Sequence, residues 1–235
     1  RKRCIVISAR VHPGEAPASW MMRGMLSFLC GDSPEARLLR SLFVFKVVPM
    51  LNPDGVAFGN NRCSLAGVDL NRQWKRPARS LHPTVYYLKH LIRQEQARRD
   101  VVMYLDMHGH SRKMNIFLYG ADEKRRGLSR PAARIFPKLV SWNRLGRKYV
   151  SFKECSFSVK KGREATARVV VARELGVGNS YTVESTFCGV DFGILANNHL
   201  NTQHLQEAGV AICDSLLDYY MPNKAQRQRA QAALD

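Results

Sequence analysis

Short runs of branched apolar residues alternate along this chain with longer stretches of helical periodicity. Cys4–Ile7 is a short apolar run that predicts a strand over 4–9, and largely apolar stretches at 42–48 and 101–106 predict two more. Asn115–Tyr119 predicts a further strand. Between them, 17–29 carries Trp20, Met21, Leu26, Phe28 and Leu29 at helical spacing, with Gly31 as a stop. Residues 84–98 place Val85, Leu88, Leu91 and Ile92 on one helical face. A closing helix over 202–220 presents Leu205, Val210, Ile212, Leu216 and Leu217. Asn52-Pro53-Asp54-Gly55 reads as a turn, since Pro fixes φ and Gly tolerates the left-handed region. The segment 121–134 is polar, basic and loop-like, and the residues beyond Pro222 form a polar tail. Strands alternating with helices predict a mostly parallel sheet covered on both faces.

Composition narrows the class. At 235 residues, 45% of them hydrophobic, the chain fits one globular domain over 1–222, with 223–235 as tail. No apolar run approaches the ~20 residues of a membrane span, so no membrane partner is expected. The six cysteines are scattered without paired spacing, which predicts reduced, largely buried thiols and a cytoplasmic location. The net charge of +18, from 37 basic against 19 acidic residues, points to a polyanionic partner. The basic clusters 124–126, 160–163 and 227–229 have no interleaved aromatics of the kind a base-stacking platform uses, which argues against nucleic acid.

The candidate chemistry lies at the ends of two apolar runs. His12-Pro13-Gly14-Glu15 follows the first, and Asp106-Met107-His108-Gly109-His110 closes the third. A lone His-x-x-Glu occurs by chance in many turns. Joined to a distant His, it is the ligand set of a catalytic Zn²⁺ site: His12, Glu15 and His108, with one position left for water. Strand ends are where open α/β sheets place their sites.

Further motifs follow in order: Asn52-Pro53-Asp54-Gly55-Val56, Gly59-Asn60-Asn61-Arg62, Asp69-Leu70-Asn71-Arg72 and Ser180-Tyr181-Thr182-Val183-Glu184. With the two zinc motifs, the chain closely resembles the M14 zinc carboxypeptidases, and more narrowly the cytosolic carboxypeptidases that remove glutamates from tubulin and other proteins. The resemblance implies a three-layer α/β/α sandwich around a mixed, mostly parallel sheet, with one Zn²⁺ per chain. It implies that Glu184 is the catalytic acid–base, Arg62 the cation facing the developing oxyanion, and Asn71 with Arg72 the grip on the substrate's terminal carboxylate. It further implies that Asp69 fixes the tautomer of the first His ligand and that Arg168 meets the side chain of a terminal glutamate. His110 is not a ligand in this pattern and reads as lying beside the site. Val169–Val171 looks like a strand by propensity, whereas the resemblance implies a short helix over about 166–174, which the flanking alanines favour.

The chain also departs from the pattern. The family's elements before the His-Pro-Gly-Glu strand and its N-terminal β-sandwich domain are not in this sequence, which begins on Arg as a trimmed piece would and is expected to leave a sheet edge uncovered. No Tyr lies between Tyr149 and Tyr181 to cover substrate as in secreted relatives, and Gly14 stands where those carry Arg. The resulting expectation is a zinc carboxypeptidase acting on C-terminal or branched glutamates of acidic tails such as polyglutamylated tubulin. Its alternatives are an amidohydrolase of small N-acyl amino acids on the same fold, and a non-catalytic polyanion-binding module.

Overall fold

A computed structural model describes residues 1–121, 132–223 and 225. Five strands form one sheet in the order β2-β1-β3-β5-β4: β1 (Arg3–Ala9), β2 (Phe43–Val48), β3 (Val101–His110), β4 (Ile116–Tyr119) and β5 (Ser180–Thr186). All neighbours are parallel except β4, which runs antiparallel to β5. Helices α1 (Ala16–Cys30), α2 (Pro34–Leu42), α5 (Ala132–Trp142) and α7 (Thr202–Tyr220) belong with one face of the sheet. On the other face lie α4 (Pro83–Gln96) and α6 (Ala167–Arg173). The remaining helix, α3 (Pro53–Ala57), is a single turn. The chain is thus an α/β protein built as a three-layer sandwich.

Strand alternation divides the core. Ile5, Ile7, Met103, Leu105, Tyr181 and Val183 turn toward Met21 and Met25 of α1 and Ile212 and Leu216 of α7. Cys4, Val6 and Tyr104 face Val85, Leu88 and Ile92 of α4 and Val170 and Val171 of α6. The apolar character of this second face gives way to polar residues toward the C-terminal ends of the strands, beginning at Ser8 and Asp106, both fully buried.

Three segments differ from the expectations. Residues 34–42 form a helix because Ser33 accepts the amide of Ala36, Pro34 occupies the first turn, and Glu35 and Arg40 complement the helix ends. The turn at Asn52 is the start of α3, with the Asn52 side chain accepting the Gly55 N–H at 3.0 Å. The supposed loop of 121–134 gives way to α5 at Ala132, which buries Phe136 and Val140; residues 122–131 lie outside the described set. So do the basic clusters at 124–126 and 227–229 and most of the polar tail. The disputed valines are helical, in α6, because this segment packs across the sheet rather than joining it. All six cysteines are free, with Cys4 and Cys213 buried.

Helices α1 and α7 approach until backbone meets backbone. A Cβ added at Gly209 would lie 2.1 Å from the Met21 carbonyl oxygen, and one at Gly24 would lie 2.1 Å from that of Gln206. Ala normally improves a helix by about 1 kcal/mol over Gly. Here the overlap is with backbone, which cannot turn aside, so Gly209→Ala is expected to destabilise the fold by a net ~1–3 kcal/mol. Denaturant unfolding checks this; a variant as stable as the parent would show that the two helices can separate freely.

Candidate active site

The site is assembled at the C-terminal ends of β1, β3 and β5. Parallel register places His108 opposite Glu184 and Asp106 opposite both Ser8 and Thr182. His12 lies in the turn after β1, and Glu15 directly precedes α1 at its N-cap position. The Glu15 carboxylate makes no capping bond. It reaches His12 Nδ1 at 2.6 Å and His108 Nδ1 at 2.9 Å, and accepts the Gly109 N–H at 3.0 Å. Gly14 lets this turn pack on the next loop: it donates its N–H to the Asn61 carbonyl, and a Cβ there would lie 2.8 Å from that oxygen.

One donor atom each from His12, Glu15 and His108 lies within 4.8 Å of the others. Both imidazoles turn Nδ1 inward and engage a carboxylate through Nε2: His12 with Asp69 at 3.1 Å, His108 with Asp106 at 2.8 Å. Two imidazole nitrogens, one carboxylate and an outer acceptor on each ring make a donor set suited to Zn²⁺.

The cleft beside these donors, about 680 Å³, brings together every residue singled out from the sequence except Asp69, which stands behind it against His12. Arg62 lines the cleft, half-exposed, with Nε and Nη2 on Asp69 Oδ2 at 2.9 and 2.7 Å. Asn71 is buried, and its Oδ1 accepts the first N–H of α6, from Ala167, at 2.8 Å. That bond fixes the amide orientation and leaves its N–H₂ as the unused end. Arg72 Nη1 bonds the Asn71 carbonyl at 3.1 Å. Arg168, on α6, is only 6% exposed; its guanidinium lies 5.4 Å from the Tyr119 ring centroid, and its Nε is sealed without a hydrogen-bond partner. His110 lines the cleft but organises a turn, accepting the Arg112 and Lys113 N–H groups on Nδ1.

The same sequence profile that describes zinc carboxypeptidases matches residues 1–204. The chain belongs to the M14 zinc carboxypeptidase family. It is 47% identical over 228 residues to cytosolic carboxypeptidase 2 of Danio rerio, covering 97% of this chain and 31% of that protein. To cytosolic carboxypeptidase 3 of Mus musculus it is 46% identical over 228 residues, covering 96% and 22%. The chain therefore spans a third or less of these relatives. In structure it is similar to a metallo-carboxypeptidase from Burkholderia cenocepacia, with a TM-score of 0.79 and 25% identity over 92% of this chain and 56% of that one. It is likewise similar to the Pseudomonas aeruginosa metallo-carboxypeptidase in complex with (2-guanidinoethylmercapto)succinic acid, at a TM-score of 0.77 and 25% identity, covering 91% and 56%. No described helix is long and apolar enough to cross a membrane.

Two neighbours of the site escaped the sequence reading. Asp106 sits two residues before His108, and on a strand that spacing puts both on one face. The signal was present in the Asp-x-His motif, but it appears only once the segment is known to stay extended through His110. Tyr119 enters the cleft from β4, directly opposite Thr182, and nothing local marks it.

Electrostatics sets the charge states. Burial opposes ionisation of Glu15, yet His108 and His12 hold its carboxyl well below the usual range. Asp69 is also desolvated, but His12 and Arg62 bring it down to about 2. Burial would discharge the two imidazoles; Asp69 and Glu15 raise His12 instead, and Asp106 and Glu15 raise His108. Glu184 differs: burial pushes it up to about 7, against the pull of His108 and His12, and its Oε2 is sealed without a partner.

A measurable pH dependence follows for the metal-free chain. Between the ordinary value of 4.5 and about 7, the folded chain keeps a proton that the unfolded chain has lost. This contribution favours folding fully below pH ~4.5 and fades as pH rises toward 7. Glu184→Gln keeps the side chain neutral at every pH and so removes the loss. In chelator, the variant should exceed the parent by roughly 1–3 kcal/mol above pH 7, the gap closing below pH ~4.5. Denaturant unfolding across this range is the measurement; a gap independent of pH would show that Glu184 is solvated.

Proposed function

We propose that this chain is the catalytic part of a zinc carboxypeptidase that removes glutamate from the C-termini or branches of acidic protein tails, with glutamylated tubulin as the model substrate. The observation that carries the reading is the buried Arg168, with an unsatisfied donor, in the same cleft as the His12–Glu15–His108 donor set. A guanidinium withdrawn from water at this depth is held below its usual range, at about 10, chiefly by burial and against the attraction of Glu184. It remains a cation, and an incoming carboxylate would supply the charge-assisted partner it lacks.

In this reading His12, Glu15 and His108 would hold Zn²⁺, which would supply Lewis-acid activation of the scissile carbonyl and of water. Glu184 takes a proton from the attacking water and returns it to the leaving amine, and burial, which favours its neutral form, suits a group that must both accept and donate. Arg62 turns from Asp69 toward the oxyanion as charge develops there. Asn71, held by its bond to α6, offers its N–H₂ with Arg72 to the terminal carboxylate, which selects a chain end over an internal bond. Lys113, Lys160 and Arg163 at the cleft wall give a positive field that raises the encounter rate with acidic tails. The names of the similar cytosolic carboxypeptidases agree with a cytoplasmic setting for such substrates.

Two substitutions separate selection from chemistry. Arg168→Ala leaves an incoming glutamate side chain buried and unpaired, at a cost of about 2–5 kcal/mol in transition-state binding. Peptides ending in Glu should lose kcat/KM by that amount while matched peptides ending in Leu lose little. Equal losses would make Arg168 structural and pass the role to Lys160 or Arg163. Glu184→Gln should keep zinc and still bind glutamylated peptide, with kcat reduced by at least ~10²-fold. A kcat near that of the parent would remove Glu184 from the reaction.

A further inference from the structure

Behind His108 a line of polar groups runs into the sheet, and none of it touches the cleft. Asp106 accepts from His108 Nε2 on its Oδ2 at 2.8 Å and from the Ser8 hydroxyl on its Oδ1 at 2.7 Å. Ser8 Oγ also lies 2.7 Å from the Tyr104 hydroxyl. Ser8 has a single proton, and it goes to Asp106, so the proton in the second contact must come from Tyr104. The line therefore has one direction: Tyr104 donates to Ser8, Ser8 donates to Asp106, and Asp106 accepts from His108. Ser8, Tyr104 and Asp106 are all fully buried, and His108 is 2% exposed.

Packing alone does not account for this. Tyr104, Asp106 and His108 alternate along one face of β3, and Ser8 lies opposite Asp106 on β1. The same face one register step earlier is filled by Val6, opposite Tyr104. A buried serine and tyrosine hydroxyl in place of apolar groups cost free energy unless each is paired. Here each pairing only passes the demand onward until it reaches the ring of His108.

We infer that Tyr104, Ser8 and Asp106 are positioning residues that hold His108 in the one tautomer and ring orientation able to bind a metal through Nδ1. This rests on His108 being a zinc ligand. With both Asp106 oxygens accepting, a ring proton is held on Nε2, so that Nδ1, on the Glu15 and His12 side, is the nitrogen left to a metal once its own proton is displaced. In Asp106→Asn, Ser8 still donates to the side-chain oxygen, so the amide nitrogen is presented to Nε2. The ring proton is then driven to Nδ1, where it blocks the metal. His12 is held differently: its partner Asp69 is 17% exposed and is shared with Arg62 and the Asn71 N–H. Water can replace part of that arrangement, whereas nothing can replace a member of the dry line behind His108.

The experiment uses Zn²⁺ alone. Its dissociation constant is measured by competition with a chromophoric chelator, beside the melting temperature of each metal-free protein. Asp106→Asn should weaken zinc about 10–100-fold, the range for outer partners of metal-bound histidines. Tyr104→Phe removes one hydroxyl at nearly constant volume and should weaken zinc several-fold. In the Asp106→Asn background it should add nothing further, because the line is already broken. If Tyr104→Phe and Asp106→Asn lower only the melting temperature and bind zinc as the parent does, the three groups are structural and the inference fails. His108→Ala distinguishes the two levels. Loss of zinc there with normal binding in Asp106→Asn overturns the relay alone. Full zinc occupancy in His108→Ala overturns the ligand assignment, and the relay with it. Should Asp106→Asn fail to fold, Tyr104→Phe and Ser8→Ala decide the matter by the same readout.

Discussion

The parallel register of β1, β3 and β5 is the constraint on which the rest of this molecule depends. With Ser8 level with Asp106, and His108 level with Glu184, side chains from three distant parts of the sequence share one face. A slip of one residue in any strand would turn its polar members into the opposite core. That core, built on Ile5, Ile7, Met103, Leu105, Tyr181 and Val183, has no place for a carboxylate. Hydrophobic burial on one side of the sheet thus enforces the alignment of polar groups on the other. The chemistry is aligned by residues that take no part in it.

This coupling explains which charges can exist at the site. Glu15 and Asp69 are ionised because cationic or hydrogen-bonding partners surround them, while Glu184, as deeply placed but less well partnered, is not driven the same way. Arg168 and Glu184 attract one another across the cleft without an ion pair forming between their sealed atoms. A cleft that keeps both groups under-satisfied stores interaction free energy for whatever enters it, at some expense to the stability of the empty fold.

Much of this could be read from the chain, and the failures have physical causes. The apolar runs at 4–7 and 101–105 were legible because burial on both sides of the sheet leaves few alternatives, and 202–220 because one helical face is buried. The helix at 34–42 was missed because its signal lies in a cap, Ser33-Pro34, rather than in a long apolar stripe. Helix α5 begins in polar, basic sequence, which reads as loop up to residue 134. At the site, His12, Glu15 and His108 announce themselves by residue type and spacing. Asp106 was in view but unassigned, since its importance depends on the strand continuing to His110. Ser8 and Tyr104 are ordinary residues in the sequence; only the pairing of β1 with β3 makes neighbours of them.

The backbone contact between α1 and α7 has a consequence at the N-terminal end of α1. Helix α1 begins immediately after Glu15, so any sliding of that helix along its axis moves the carboxylate that bridges the two imidazoles. Gly24 and Gly209 act as a pair of interlocking notches: the carbonyls of Gln206 and Met21 rest where side chains would otherwise stand. Axial travel of α1 is thereby stopped by a helix that comes more than 180 residues later in the chain. The closing segment of the domain serves as a gauge block for its first functional turn, and the mechanical tolerance of the site is set at a contact on the far side of the sheet.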